Sequence, residues 1–375
     1  MNDLPEHLER YHRQMLLPAI GEAGQRKLLA SHALIVGCGA LGCCCADILA
    51  RAGVGTISIV DRDIVELTNL QRQILFDEDD AREGTPKALA AKTKIGKINS
   101  TVVVHAHVDD FNQRNAERYA EGADIILDGL DNFETRYLLN DLAVAQGLPY
   151  LYGGAVGSQG MSFPILPYPR HRREGVRGGI RWSEDQATPC LRCVFPEPPP
   201  PGSSQTCDTA GVLGPLVNQI ASHQAAEAIK LMSGNLDAID RSMLTIDIWE
   251  NETKRLNLAG AFKSGQCPCC GRGEFDYLEG TSGSITTSLC GRNAVQITPD
   301  EASDGLIDLA ALADRLAPHG TFTSNPHLLR GILRAEIGND GNPMELTLFV
   351  NGRAIIKGTN EPDAARIIYA KYVGS

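Results

Sequence analysis

No stretch of this chain comes near the roughly 18 consecutive apolar residues that a membrane-crossing helix requires, and basic charge is in deficit. The sequence sets 35 Lys and Arg against 46 Asp and Glu, a formal net charge of −11. A surface built to hold nucleic acid or an anionic membrane carries the opposite balance, so neither is expected as a partner. The opening residues, Met1-Asn2-Asp3-Leu4-Pro5-Glu6, are polar and acidic, with no secretory leader visible. Disulfides are a further expected absence. Eleven cysteines are present, nothing points to export, and four of them form two C-x-x-C pairs that suit a metal better. The cytoplasm is therefore the expected compartment. A length of 375 residues, 43% apolar and 22% charged, suits two compact domains.

Residues from about 31 to 155 alternate apolar runs with helical patterns. This predicts an α/β fold, a Rossmann-like and largely parallel sheet with helices on both faces. Strands are expected at 33–36, 56–60, 101–105, 123–128, 149–154 and 244–248, and helices near 86–97, 133–146 and 211–232. The segment 161–189 reads as long and irregular, and Pro196-Glu197-Pro198-Pro199-Pro200-Pro201-Gly202 as an extended connector. A Gly/Ser/Thr stretch at 280–288 marks a boundary between an expected domain over 1–280 and a small α+β domain over 281–375. In the latter, strands are expected at 294–297, 329–337, 344–350 and 353–357, and helices at 306–316 and from 362. Asn351-Gly352 signals a hairpin between two of these strands. No paired acid, base or metal set is visible there.

The densest information lies in Val36-Gly37-Cys38-Gly39-Ala40-Leu41-Gly42, directly after the first strand. Glycines at 37, 39 and 42 let the backbone turn tightly and approach a phosphate, which the free N–H groups of a helix N-terminus welcome. Asp61 ends the next strand, where an acidic side chain meets a ribose hydroxyl. Taken alone, these residues leave NAD, FAD and ATP open. The following residues narrow the choice. Hydride transfer has no use for the cluster Asn69-Leu70-Gln71-Arg72, Lys87 and Asp131-Asn132, whereas an enzyme that splits ATP between its α- and β-phosphates must steady charge on phosphoryl oxygens.

Together with Arg10-Tyr11-His12-Arg13-Gln14 and Asp128 to Asn132, these motifs resemble, in order and over about residues 8–272, the adenylating enzymes MoeB, ThiF and HesA, the bacterial relatives of ubiquitin-activating enzymes. The resemblance implies ATP-dependent adenylation of the C-terminal Gly-Gly carboxylate of a ubiquitin-like sulfur-carrier protein, for thiamin, molybdopterin or a related thio-cofactor, with release of pyrophosphate. It implies nucleotide contacts at Gly37, Gly39, Ala40, Leu41, Gly42, Asp61, Asp63, Asn69, Gln71, Arg72, Lys87, Asp131 and Asn132. Asp131 would also hold magnesium, as a hard oxygen ligand should. Arg13 would reach across the twofold axis of a homodimer into the neighbouring site, and Cys207, just before a helix, would be a reactive thiol or a packing residue. Two other readings stay open: an NAD-dependent oxidoreductase, and an inactive subunit that only docks a ubiquitin-like protein.

Cys190-Leu191-Arg192-Cys193 and Cys267-Pro268-Cys269-Cys270 form two knuckles. Cys190, Cys193, Cys267 and Cys270 suit a structural zinc site, with Cys269 pointing away. Cys43, Cys44 and Cys45 read as small packing residues, and Arg136 as either a helix-face ion pair or a site residue. The segment 164–189 carries Arg170, His171, Arg172, Arg173, Arg177 and Arg181, a solvated loop or a contact for an acidic carrier. No cysteine loop for a sulfur donor is evident after 280, so the donor stays unassigned.

Overall fold

The computed structural model describes residues 6–168, 182–183, 185–197, 210–261, 265–281, 288–289, 293–297 and 307–373. The chain divides into two compact units. The first contains an eight-stranded sheet with strands His32–Val36 (β1), Thr56–Val60 (β2), Val103–His107 (β3), Ile125–Asp128 (β4), Tyr150–Val156 (β5), Gln159–Ile165 (β6), Met243–Asp247 (β7) and Glu252–Leu256 (β8). Their order is β3-β2-β1-β4-β5-β6-β7-β8. The half from β3 to β5 is parallel, and the half from β5 to β8 is antiparallel.

The helices of this unit are His12–Met15 (α1), Gly21–Ala30 (α2), Ala40–Ala52 (α3), Glu78–Glu83 (α4), Lys87–Ile98 (α5), Ala116–Ala120 (α6), Phe133–Gln146 (α7), Leu191–Val194 (α8) and Gly214–Ser233 (α9). Strand β1 shows why its sequence is apolar throughout. Ala33 and Ile35 face one core with residues of α3 and α9, and Leu34 and Val36 face a second core with residues of α7. A strand buried on both faces has no polar side to show. Among the described residues, no helix is long and apolar enough to cross a membrane.

Two strands depart from the reading of the sequence. The stretch 161–189 is not irregular from its start, because 159–165 is β6, paired to both β5 and β7. Gly160 is required there: a Cβ would stand 2.6 Å from the Ile220 side chain of α9. Strand β8 has no apolar signal because all five of its residues are exposed, and it is held by its ladder to β7.

The second unit is a six-stranded antiparallel sheet, order β11-β12-β13-β14-β10-β9. Its strands are Ser288–Leu289 (β9), Ala294–Ile297 (β10), Gly320–Ser324 (β11), Leu328–Ile337 (β12), Pro343–Phe349 (β13) and Ala354–Lys357 (β14). Helices Leu309–Leu316 (α10) and Pro362–Tyr372 (α11) share one core with Val295, Leu329, Leu346 and Ile356. The Asn351-Gly352 turn forms as expected, with Gly352 at φ +85°. Strands β9 and β11 carry too few apolar residues to have been read from sequence.

Candidate active site

The glycine loop joins β1 to α3 at the carboxyl ends of the strands, where the sheet order passes from β1 to β4, the place at which doubly wound sheets bind ligands. Gly37 sits at φ +84°, and a Cβ there would lie 2.6 Å from the Gly129 carbonyl oxygen. A Cβ on Gly42 would lie 1.9 Å from the Gly37 carbonyl oxygen. These two glycines are demanded by the fold itself. Gly39 differs: its φ is −74°, and its Cβ would meet only the Gly129 carbonyl oxygen, at an ordinary 3.6 Å. The protein leaves that side of the loop open. Gly39 caps α3 without a side-chain hydrogen bond, so the first amides of the helix, from Ala40 to Gly42, belong to a terminus suited to an anion.

Asp61, 8% exposed, closes the loop from the β2 side. Its Oδ2 accepts from the Cys38 amide at 2.6 Å and its Oδ1 from the Asp63 amide at 2.7 Å. Burial pushes its carboxyl above the usual range, opposed by the charge of Lys87. Lys87, 3% exposed at the start of α5, donates to Asp63 Oδ2 at 3.1 Å. Arg62 pairs with Asp110 at 2.7 Å. Burial works against its charge, but Asp110, Asp63 and Asp131 together hold its pKa above the ordinary arginine value. Asp63, Asp110 and Asp131 thus act together on Arg62, and Lys87 joins them through Asp63.

The segment after β2 has more mixed roles. Asn69 is buried, and its Oδ1 accepts from the Glu66 amide at 3.1 Å in a reciprocal capping box. Gln71 is exposed. The Arg72 guanidinium donates to the Thr68 carbonyl at 3.0 Å. Asp131 is exposed on the loop before α7. Asn132 caps α7, its Oδ1 accepting from the Thr135 amide at 2.9 Å. Arg136 is a buried structural group: Nε meets Asp128 Oδ2 at 3.0 Å, and Nη2 donates to the Leu130 and Gly153 carbonyls, both at 2.8 Å. The Tyr150 hydroxyl donates to the same Asp128 oxygen at 2.8 Å. Burial raises the Asp128 carboxyl against the pull of Arg136.

Arg13 is exposed on α1. The neighbouring Gln14 donates to the Ala52 carbonyl at 2.9 Å, at the C-terminal end of α3. A helix of 13 residues is about 20 Å long, and the glycine loop lies at its other end. Arg13 is therefore held at the end of α3 remote from the loop of its own chain. Cys207 and the basic residues Arg170, His171, Arg172, Arg173, Arg177 and Arg181 lie outside the described residues. Cys43, Cys44 and Cys45 are buried. Burial pushes Cys43 up to about 12 and Cys44 to about 11, which makes them packing groups rather than nucleophiles.

The two cysteine knuckles converge. The Sγ atoms of Cys190, Cys193, Cys267 and Cys270 all lie within 4.8 Å of one another. Individual separations are 3.8 Å for Cys190 to Cys193, 3.6 Å for Cys190 to Cys267 and 3.4 Å for Cys193 to Cys270. Tetrahedral zinc at about 2.3 Å from each thiolate requires edges of about 3.8 Å, so the four thiols fit that ion. Hydrogen bonds from its three neighbours hold the Cys267 thiol well below the usual range, while Cys193 and Cys270 are pushed up. Four sulfurs crowded together resist sharing more than one negative charge without a cation. Cys269 is not one of the four, though its thiol meets that of Cys190. Its sulfur accepts from Asn140 Nδ2 at 3.2 Å, and burial raises its thiol to about 11.

The ThiF family model matches residues 11–269, from the helix that carries Arg13 to the second knuckle. The chain belongs to the ThiF family. Sulfur carrier protein ThiS adenylyltransferase of Bacillus subtilis is 40% identical over 366 residues, covering 97% of this chain and 99% of the relative. Sulfur carrier protein adenylyltransferase of Thermus thermophilus is 36% identical over 266 residues, 71% of this chain and 92% of the relative. The crystal structure of Escherichia coli MccB with MccA-N7isoASN aligns with a TM-score of 0.57 at 25% identity, covering 70% of this chain and 75% of that one.

For a ThiF-family chain, sequence reasoning missed the groups that hold the strand ends in place. Arg62 ties Asp110 to the acidic cluster. Gln224 of α9 donates to the Asp128 and Leu151 carbonyls at 3.1 and 3.0 Å, so that a Cβ on Gly153 would strike its amide at 2.5 Å. The only signal for this network was an acidic residue, Asp128, ending an apolar strand.

Proposed function

We propose that this chain is an ATP-dependent adenylyltransferase for a ubiquitin-like sulfur-carrier protein with a C-terminal Gly-Gly. The observation that carries this reading is the 40% identity to the Bacillus subtilis ThiS adenylyltransferase along 97% of the chain. The oxidoreductase alternative finds no support among the relatives. In the reaction, an oxygen of the terminal carboxylate attacks the α-phosphorus of ATP. The bond from that phosphorus to the bridging oxygen breaks, leaving a carrier acyl-adenylate and pyrophosphate.

Each residue has a task in this scheme. The amides from Gly39 to Gly42 face the phosphates across the open side of Gly39, and the lone pairs that Asp61 does not use on Cys38 and Asp63 receive ribose hydroxyls. Lys87 and Arg72 offset charge as it builds on the phosphoryl oxygens. Among the described residues, the thiol quartet is the one group of three or more Cys, His, Asp or Glu able to share a metal. Magnesium would therefore be held by the Asp131 carboxylate and the nucleotide's own phosphates, its usual mode in nucleotide enzymes. The position of Arg13 at the far end of α3 favours its service to a second copy in a homodimer.

ATP–pyrophosphate exchange tests the reading. Purified chain with a ubiquitin-like sulfur carrier should exchange labelled pyrophosphate into ATP, and a carrier lacking its last glycine should not. Exchange indifferent to the carrier terminus would reject the proposal.

A further inference from the structure

Helix α7 touches both chemical centres of the first unit. At its start, Arg136 Nη2 donates to the Leu130 carbonyl at 2.8 Å, one residue before Asp131, and Asn132 caps the helix one residue after it. Asp131 is thus pinned on both sides by groups that belong to α7.

Further along, the same helix grips the cysteine knuckles. The Tyr137 hydroxyl donates to the Phe195 carbonyl at 2.8 Å. Asn140 Oδ1 accepts from the Leu191 amide at 2.7 Å, inside the first knuckle, and Asn140 Nδ2 donates to Cys269 Sγ at 3.2 Å, inside the second. Asp141 Oδ2 accepts from the Tyr277 amide at 3.0 Å. Asn140 has no exposed surface. A leucine has the same branched shape and no polar atom, yet a polar group stands there with both ends of its amide in use. One side chain holds two chain segments to one helix.

We infer that Asn140 is a positioning residue that couples metal occupancy of the thiol quartet to the setting of Asp131, so that zinc and magnesium-bearing ATP bind with linked affinities. The inference rests on the reading of Asp131 as the magnesium-binding carboxylate. Asn132 and Asn140 are eight residues apart, about 12 Å along a helix whose rungs keep that distance fixed. Metal draws the knuckles together, and Leu191 and Cys269 then fix Asn140. An empty quartet frees the knuckles to part, and α7 moves with them as a rod, carrying the Leu130 carbonyl and Asp131. Coupling of this kind is reciprocal: each ligand must change the other's affinity by the same factor.

The test uses the full chain, with zinc and Mg·ATP as probes and no carrier protein. Zinc affinity is measured by competition with a chromogenic chelator, with and without Mg·ATP, and Mg·ATP affinity by calorimetry, with and without zinc. The two factors should agree and reach at least about fivefold. Asn140→Asp keeps the acceptor for Leu191 and removes the donor to Cys269, and Cys269→Ala removes the partner from the other side. Each variant should weaken zinc by about tenfold or more and bring the linkage factor to one, with ATP binding in the absence of magnesium unchanged. Wild-type chain that binds both ligands without linkage would overturn this inference alone. Chain that binds no Mg·ATP would overturn the proposed function as well.

Discussion

At the scale of single residues, the glycine loop separates what the fold needs from what the ligand needs. Gly37→Ala forces a side chain into a left-handed backbone and against the Gly129 carbonyl, and should cost about 1–3 kcal/mol in urea unfolding. Gly39→Ala meets neither obstacle. It should leave stability within about 0.5 kcal/mol yet abolish ATP binding by calorimetry, because its methyl would occupy the side open to phosphate. Normal ATP affinity in Gly39→Ala would show that the phosphates lie elsewhere. Asp131→Ala and Arg72→Ala should each lower pyrophosphate exchange by about 10²–10³-fold with an unchanged unfolding midpoint, since Asp131 is exposed and Arg72 only half-buried. The sharp turn of the loop was legible in sequence because a left-handed backbone and close approach to Gly129 restrict residue type to glycine, and Asp61 because a strand end fixes its position. Arg136 was not, because an arginine on a helix carries no mark of whether an acid, here Asp128, lies buried beneath it.

At the scale of elements, α7 joins a buried ion pair near its start to both cysteine knuckles. Asp128→Asn leaves Arg136 as a buried charge without its counter-ion, and should cost about 3–5 kcal/mol. A loss below about 1 kcal/mol would mean that water reaches the pair. Elemental analysis of protein purified without added metal should find one zinc per chain. Cys190→Ser or Cys270→Ser should lower the unfolding midpoint, because binding energy at a site assembled from distant segments is folding energy. Stable wild-type protein without zinc would remove that role from the quartet. The knuckles were readable because C-x-x-C spacing is itself a local geometry. Strands β6 and β8 were not, because what makes them strands is not local: the first is defined by two partner strands and by clearance for Ile220, the second by its ladder to β7 alone.

At the scale of the whole molecule, the second unit has its own core and shows no catalytic set among its described residues. Ending the chain near residue 280 should leave ATP turnover at saturating carrier intact and raise the carrier concentration needed, as expected if the module contributes a docking surface. Turnover lost at saturating carrier, in a chain that still unfolds cooperatively, would give the module a catalytic part instead. Acid should weaken the first unit. Burial, with a smaller push from His105, lowers the pKa of His32 below 6.5, against the Gly122 carbonyl and Asp124. The unfolded chain therefore takes up a proton near pH 6.5 while the folded chain resists it. The contribution is whole above pH 6.5 and fades as pH falls through the lowered value. Urea unfolding at pH 7.5 and 5.5 should show a smaller loss for His32→Gln than for wild type. The strand and helix pattern predicts a separate α+β part after residue 280, and the two C-x-x-C pairs predict that segments far apart in the chain meet; the sulfurs of Cys190 and Cys267, 77 residues apart, do so. That separation also sets an order of events during synthesis. A nascent chain that has delivered Cys190 and Cys193 offers only two sulfurs, a weak hold on any ion. α9, β7 and β8 must leave the ribosome before Cys267 and Cys270 arrive, so firm capture of a metal by the quartet would come last, at the moment when the first unit is complete.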